Sequence, residues 1–453
     1  MYNYVLECTS LSISFGINRL HYPTAASAMA KAANPFQSRR WRGRFSPFLL
    51  VGGALLMITS VVQIYRFLFT DQGEIGKASK NVLVESSSSF LSGGIIGHRE
   101  TIEGRDVLWA SPKDNPRDKG DGGTDANLPS IQGLLFLAHG CQHSSLDWFS
   151  KSPDCKDCMG LPEERAIVQT ALGMGLVTIA MSSSNFSTKC WSGSDVTPVS
   201  LVLNELWHRF SQAQEQEEST PSSSRLPLYA FGASSGGAFV SSLAGPLQSR
   251  FGIHLDGFIS QIAAQLPLLR QEIVDPPLCR VYVTMDKDER VNRAAQARVD
   301  KCQTIETGVG NKNFDPENEP EPQTHCKQIK LPSLPIFSSY FASRIDGISQ
   351  AESEEMVATL RTAGLLDLST SELIEDPRKS YKKWSNALRL ASLKATSLMV
   401  FEKRGDALFA DKSPIFEAMN VAWGFHEMTR DGVGEALEFC VAHQKRDGDS
   451  PPQ

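Results

Sequence analysis

Short, mostly apolar runs recur through the middle of the chain, and the first of them is continuous and ends in glycine. GLLFLAHG (133–140), GLVTIAMS (175–182), LPLYAFGA (226–233), LDGFISQI (255–262) and LCRVYVTM (278–285) show no polar alternation. Each is predicted to be a strand buried on both faces. Between them, PEERAIVQTALG (162–173) and VSLVLNELWHRFSQAQ (199–214) repeat apolar positions at helical spacing, and SSGGAFVSSLAGPL (234–247) reads as a small-residue helix. Shorter strands are predicted near Arg99–Ile102 and Asp106–Ala110, and HCKQIKLPSLPI (325–336) is a candidate for the penultimate strand of the sheet. Strands alternating with helices define the α/β class: a mostly parallel, doubly wound sheet with helices on both faces. In such sheets ligands bind beyond the carboxyl ends of the strands, so the residues directly after each run carry the candidate chemistry.

One apolar stretch differs from these in length. FSPFLLVGGALLMITSVVQIY, from Phe45 to Tyr65, carries no charge and no polar stripe. About 20 apolar residues suffice for a helix to cross the hydrocarbon core of a membrane. Arg39, Arg40, Arg42 and Arg44 precede it, and a basic flank stays cytosolic. The expected organisation is therefore a basic tail (1–44), a transmembrane helix (45–69), a polar Ser-rich stem (70–95), an α/β domain (96–446) and a disordered tail (447–453). The domain would lie on the lumenal or extracellular side, a single-pass type II arrangement. A plastid or mitochondrial transit peptide is the alternative, because residues 1–45 are also Arg- and Ser-containing and poor in acids.

Composition adds limits. The chain has 453 residues, a formal net charge of −6 and 41% hydrophobic residues, enough for one large core and too apolar for a disordered protein. No basic stripe outside the N-terminus points to nucleic acid, and no repeat is evident. Of nine cysteines, only Cys8 precedes the apolar stretch. Eight on an oxidising side suit disulfides, although spacing selects no pairing. Cys155-Lys156-Asp157-Cys158 is a lone C-x-x-C, better read as a disulfide than as zinc ligands. Asn185-Phe186-Ser187 is a glycosylation sequon, usable only in the lumenal topology.

The strand LPLYAFGA runs into Gly232-Ala233-Ser234-Ser235-Gly236-Gly237, which fits G-x-S-x-G. A serine on a strained strand-to-helix turn needs neighbours without bulk two positions before and two after it. Glycine at both positions favours Ser234 as nucleophile over Ser235, whose frame is Ala233-x-Ser235-x-Gly237. The following helix would turn N–H groups toward developing negative charge.

With these motifs the chain resembles the α/β-hydrolase superfamily, and more closely a plant-type, membrane-anchored branch of it. The resemblance covers roughly 96–300 and 415–445. It implies an oxyanion hole from the loop carrying His139-Gly140-Cys141: its donors would be the backbone N–H groups of Cys141 and Ser235, with His139 supporting the loop. It implies an acid after the VYVTM strand, where Met285-Asp286-Lys287-Asp288-Glu289-Arg290-Val291 aligns Asp288 with the family's acid and leaves Asp286 as the rival. A base should follow in the order Ser, Asp, His. His325, His426 and His443 come after Asp288. His426, in a loop before a final helix, has the context the resemblance implies.

The expected chemistry is acyl transfer on a Ser234–Asp288–His426 triad without metal or cofactor, with a small-molecule or lipid ester as substrate. The alternatives are a noncatalytic scaffold of the same fold and an acyltransferase. An interval of 138 positions between acid and base holds a flexible loop (307–325) and a helical insertion (337–410) ahead of the last helix. That insertion is expected to cap the site or to buttress it.

Overall fold

The apolar runs pair into one sheet. The structure is a computed structural model that describes residues 95, 97–114, 130–217, 225–263, 279–306, 326–392 and 413–448. Its strands are β1 (His98–Ile102), β2 (Arg105–Ala110), β3 (Gly133–Ala138), β4 (Leu176–Met181), β5 (Leu228–Ala233), β6 (Gly257–Gln261), β7 (Cys279–Met285) and β8 (Cys326–Leu331). Their spatial order is β1-β2-β4-β3-β5-β6-β7-β8. β2 runs antiparallel to both β1 and β4, and every other pairing is parallel. β1 and β2 are joined by Glu103 and Gly104, both at positive φ, the turn geometry that matches strand twist.

Every residue of β3, β4, β5 and β6 is buried, including the polar Thr178, Ser260 and Gln261. Alternate residues serve opposite faces. Leu134, Phe136 and Ala138 join a core with Val199, Val202, Leu203, Leu206, Phe239 and Leu247. Leu135 and Leu137 join another with Trp148, Ile167, Ala171, Val433 and Leu437. The first core packs under α2 (Val196–Glu217), α3 (Ser235–Val240), α4 (Ala244–Phe251) and α5 (Glu289–Glu306). The second packs under α1 (Pro162–Gly173) and α10 (Val433–Gly448). The small-residue helix expected after Ser234 is thus two helices, α3 and α4.

The insertion has a core of its own. α6 (Tyr340–Arg344), α7 (Gln350–Thr362) and α8 (Tyr381–Ser392) gather Tyr340, Phe341, Met356, Leu360, Trp384 and Leu388 around Ile415, Phe416 and Met419 of α9 (Pro414–Trp423). Ser349 starts α7 as half of a capping box with Glu352. Among the described residues β8 lies at the sheet edge, and it stops at Leu331 because Pro332 has no N–H to extend a ladder. The segment 393–412, where a later strand would fall if β8 is penultimate, lies outside the described residues. Two expected bounds differ. The final helix runs to Gly448, two residues into the expected tail. Ile95, assigned to the stem, is a buried core residue.

All eight cysteines after Cys8 are paired: Cys141–Cys190, Cys155–Cys158, Cys279–Cys440 and Cys302–Cys326. Among the described residues no helix is long and apolar enough to cross a membrane. The expected transmembrane helix (45–69), the basic tail, the flexible loop (307–325) and the insertion's end (393–410) lie outside the described residues.

Candidate active site

Ser234 stands between β5 and α3 with φ 52° and ψ −114°, a conformation L-residues rarely adopt. Its N–H donates to the Gln261 carbonyl at 2.9 Å, which fixes the turn against β6. Both flanking glycines are demanded by contact. A Cβ on Gly232 would run into the Gly236 backbone, and one on Gly236 would run into the carbonyl oxygens of Ala138 and His139. The strain therefore rests on close packing of β5, α3 and the end of β3.

Ser234 Oγ lies 3.1 Å from His426 Nε2, and His426 Nδ1 lies 2.8 Å from Asp288 Oδ2. Asp288 follows β7 and is buried, and its Oδ1 accepts the Val291 N–H at 3.2 Å. Burial alone would raise its pKa. The His426 ring N–H, the histidine's charge and the Val291 amide outweigh that and hold the carboxyl below its ordinary value. With Nδ1–H directed at a carboxylate, the Nε2 lone pair faces the serine. His426 has φ 43° and follows Gly424 at φ 72°, a tight reversal out of α9.

The rival residues stand elsewhere. Ser235 Oγ accepts the Trp191 N–H at 3.4 Å. Asp286 pairs with Lys330 at 2.5 Å on the surface. His443 Nδ1 bonds the Phe439 carbonyl one helical turn back. His325 lies outside the described residues.

The loop after β3 sits directly beside the serine. A Cβ built on Gly140 would lie 3.9 Å from Ser234 Cβ. Among the described residues the Cys141 amide meets no protein acceptor, and that of Ser235, first in its helix, has no intrahelical one. His139 is fully buried; its Nε2 accepts the Ser183 N–H at 3.2 Å, so Nδ1 carries the hydrogen and donates to the Gly140 carbonyl at 2.6 Å. Burial pushes its pKa down to about 4, so the ring is neutral and braces the loop. The segment after β4 grips the same loop. Trp191 Nε1–H donates to the His139 carbonyl at 2.9 Å, Gln142 N–H donates to the Thr188 carbonyl at 3.0 Å, and the Cys141–Cys190 disulfide closes the clamp. Gln142, Ser234 and His426, on three of the loops that build the site, all have positive φ.

Behind that loop lies a buried ionic group that no motif announced. His143 approaches Asp147 and Glu164 at 3.4 and 3.3 Å without hydrogen-bond geometry. Burial opposes its charge, but the two carboxylates raise its pKa well above the usual histidine range. Glu164 and Glu417, both buried, have no donor partner among the described residues. Burial, with Glu164 and Glu163 beside it, raises the Glu417 pKa well above the carboxylate range, so it carries a proton that it can offer Glu164. No group of residues suited to a metal ion occurs among the described residues.

Strand order, an elbow serine after β5, an acid after β7 and a histidine before the last helix together make this the α/β-hydrolase fold. No family model matches the chain, and no curated protein matches it. Solved structures that resemble it include an α/β serine hydrolase without lid from Xanthomonas campestris (13% identity, 53% of this chain and 85% of that one, TM-score 0.30). A dienelactone hydrolase from Anabaena variabilis (15%, 52% and 87%, 0.27) and a thermostable esterase from Pseudomonas putida (10%, 53% and 74%, 0.30) are others.

Proposed function

We propose that this chain is a serine hydrolase that cleaves carboxylic esters through an acyl-enzyme. The observation that carries the reading is the Ser234–His426–Asp288 relay at 3.1 and 2.8 Å, built on a left-handed serine between strand and helix. His426 Nε2 takes the Ser234 proton as Oγ attacks the ester carbonyl, and Asp288 stabilises the imidazolium. The Cys141 and Ser235 amides, which have no competing acceptor among the described residues, receive the oxyanion. Collapse breaks the ester bond, and the alcohol leaves with the proton from His426. Water, deprotonated by the same nitrogen, then releases the acid and restores the serine. A small-molecule or lipid ester is the substrate class. Fluorophosphonate labelling of wild type, Ser234→Ala and Ser235→Ala tests this; labelling should vanish only in Ser234→Ala, and undiminished labelling there refutes the assignment.

We further infer a type II membrane anchor at 45–69 with the catalytic domain lumenal. Four disulfides between Cys141 and Cys440 and an exposed Asn185 sequon support it. Glycosidase treatment should sharpen the mobility of the expressed protein. An unmodified Asn185 together with protease digestion of the domain on sealed vesicles would overturn it.

A further inference from the structure

The insertion between β8 and α9 carries an arginine whose guanidinium is spent on the loop of the catalytic base. Arg378 Nη1 donates to the Phe425 carbonyl at 2.8 Å, and Nη2 donates to the His426 carbonyl and to Glu427 Oε2, both at 2.9 Å. Glu427 also accepts from Asn420 Nδ2 at 2.8 Å, so the clamp reaches back into α9. We propose that Arg378 is a positioning residue for His426, and that the insertion exists in part to deliver it.

The chemistry of the clamp requires arginine. Two carbonyls and a carboxylate on three successive residues are met by donors fixed in one plane, which a single ammonium cannot span. The root of the side chain is equally fixed. Asp376 Oδ1 accepts the Arg378 N–H at 2.9 Å, and the Pro377 carbonyl accepts the Trp384 Nε1–H at 2.9 Å. Trp384 is fully buried in the insertion's core, so the arginine is tied to a packed element.

The loop it holds needs an external restraint. His426 sits at φ 43°, strain that persists only where surroundings over-determine it. Gln261 secures the loop's far side, accepting the Thr429 N–H at 3.0 Å and donating to its carbonyl at 2.7 Å. Glu163, held by Arg344 at 2.7 Å, accepts from the Thr429 hydroxyl and the Arg430 amide. Those contacts begin three residues past the histidine. At His426 itself the only side chain bound to its backbone carbonyl, among the described residues, is Arg378. Displacement of a reacting group by about 1 Å costs on the order of 10²-fold in rate.

The inference rests on the serine-hydrolase reading, and the test separates the two. Full-length wild type, Arg378→Ala and Arg378→Lys are compared on a small ester, with melting temperature and the downfield proton NMR signal of His426 Nδ1–H. Arg165→Ala is the control, since Arg165 pairs with Asp346 of the insertion and, among the described residues, has no hydrogen bond or ion pair to the loop. Arg378→Ala should lower kcat about 10- to 100-fold with KM within about twofold, and should broaden or shift the Nδ1–H signal. Arg378→Lys should recover part of both, and Arg165→Ala should keep both. An Arg378→Ala enzyme with kcat above half of wild type, or one whose loss is matched by Arg165→Ala at equal melting temperature, overturns the proposal. Should the wild type neither turn over nor label, the hydrolase reading fails alone. The NMR signal then decides positioning, and an unchanged signal in Arg378→Ala refutes it.

Discussion

Replacing Asp288 by asparagine changes one atom and reverses the polarity of the relay. Asp288 Oδ1 accepts the Val291 N–H at 3.2 Å while Oδ2 accepts from His426 Nδ1 at 2.8 Å. In the variant the Val291 amide keeps the amide oxygen on its side, which turns the NH2 group toward Nδ1. Nδ1 then becomes the acceptor, the ring proton moves to Nε2, and the nitrogen 3.1 Å from Ser234 has no lone pair for the serine proton. Loss of the correct tautomer costs about 10³- to 10⁴-fold in kcat, about 4 to 5.5 kcal/mol of transition-state stabilisation. The fold should survive, because Asn has the same shape and one of the two hydrogen bonds is retained. The assay is turnover of a chromogenic ester at saturating substrate, beside Asp286→Asn. Asp286 pairs with Lys330 on the surface, so its variant should stay within about twofold of wild type. A tenth or more of wild-type activity in Asp288→Asn, or an equal loss in Asp286→Asn, refutes the relay.

Other perturbations follow from the same geometry. Gly236→Ala sets a methyl against the Ala138 and His139 carbonyls and should destabilise by about 3 kcal/mol or more, whereas Gly252→Ala, at φ 68° with open space around it, should cost about 1 kcal/mol; similar melting temperatures for the two would contradict the packing account of the elbow. Cys190→Ser releases one of several tethers on the Cys141 loop, so kcat should fall about 10-fold, less than the 10²- to 10³-fold expected for deleting an oxyanion donor; an unchanged kcat would show that the disulfide does not hold the loop. Glu417 binds a proton in the folded state that the unfolded chain releases above its ordinary pKa. Its raised pKa gives stability that is complete below the unfolded value and declines as pH rises toward the folded one. Glutamine keeps a donor for Glu164 without that proton, so the melting temperature of Glu417→Gln relative to wild type should rise between pH 5 and pH 8; a flat or falling difference counts against a protonated Glu417.

Local chemistry was legible in the sequence, and contacts between distant segments were not. Runs such as GLLFLA mark strands buried on both faces because no polar side chain interrupts them, and the two glycines around Ser234 mark a turn that tolerates no side chain there. Pro332 also announces the end of β8, inside the run that continues to Ile336. Pairing of the cysteines depends on which loops the fold brings together, and spacing holds no record of that. Arg378 lies 48 positions from His426, and Glu163 lies 266 from Thr429. A lone arginine and a Glu-Glu pair at a helix start read as ordinary solvated charge. The interval of 138 positions between Asp288 and His426 holds an insertion whose Arg378 bonds the His426 carbonyl, a contact that no local pattern records.

The central claim is that Ser234 is an activated nucleophile, and the most direct measurement is the site of covalent capture. Full-length protein treated with a fluorophosphonate, then digested and analysed by peptide mass spectrometry, should carry one adduct on Ser234. That adduct should be lost in His426→Ala, with Ser235 unmodified throughout. An adduct on Ser235, or labelling of Ser234 that persists at wild-type rate without His426, would contradict the account.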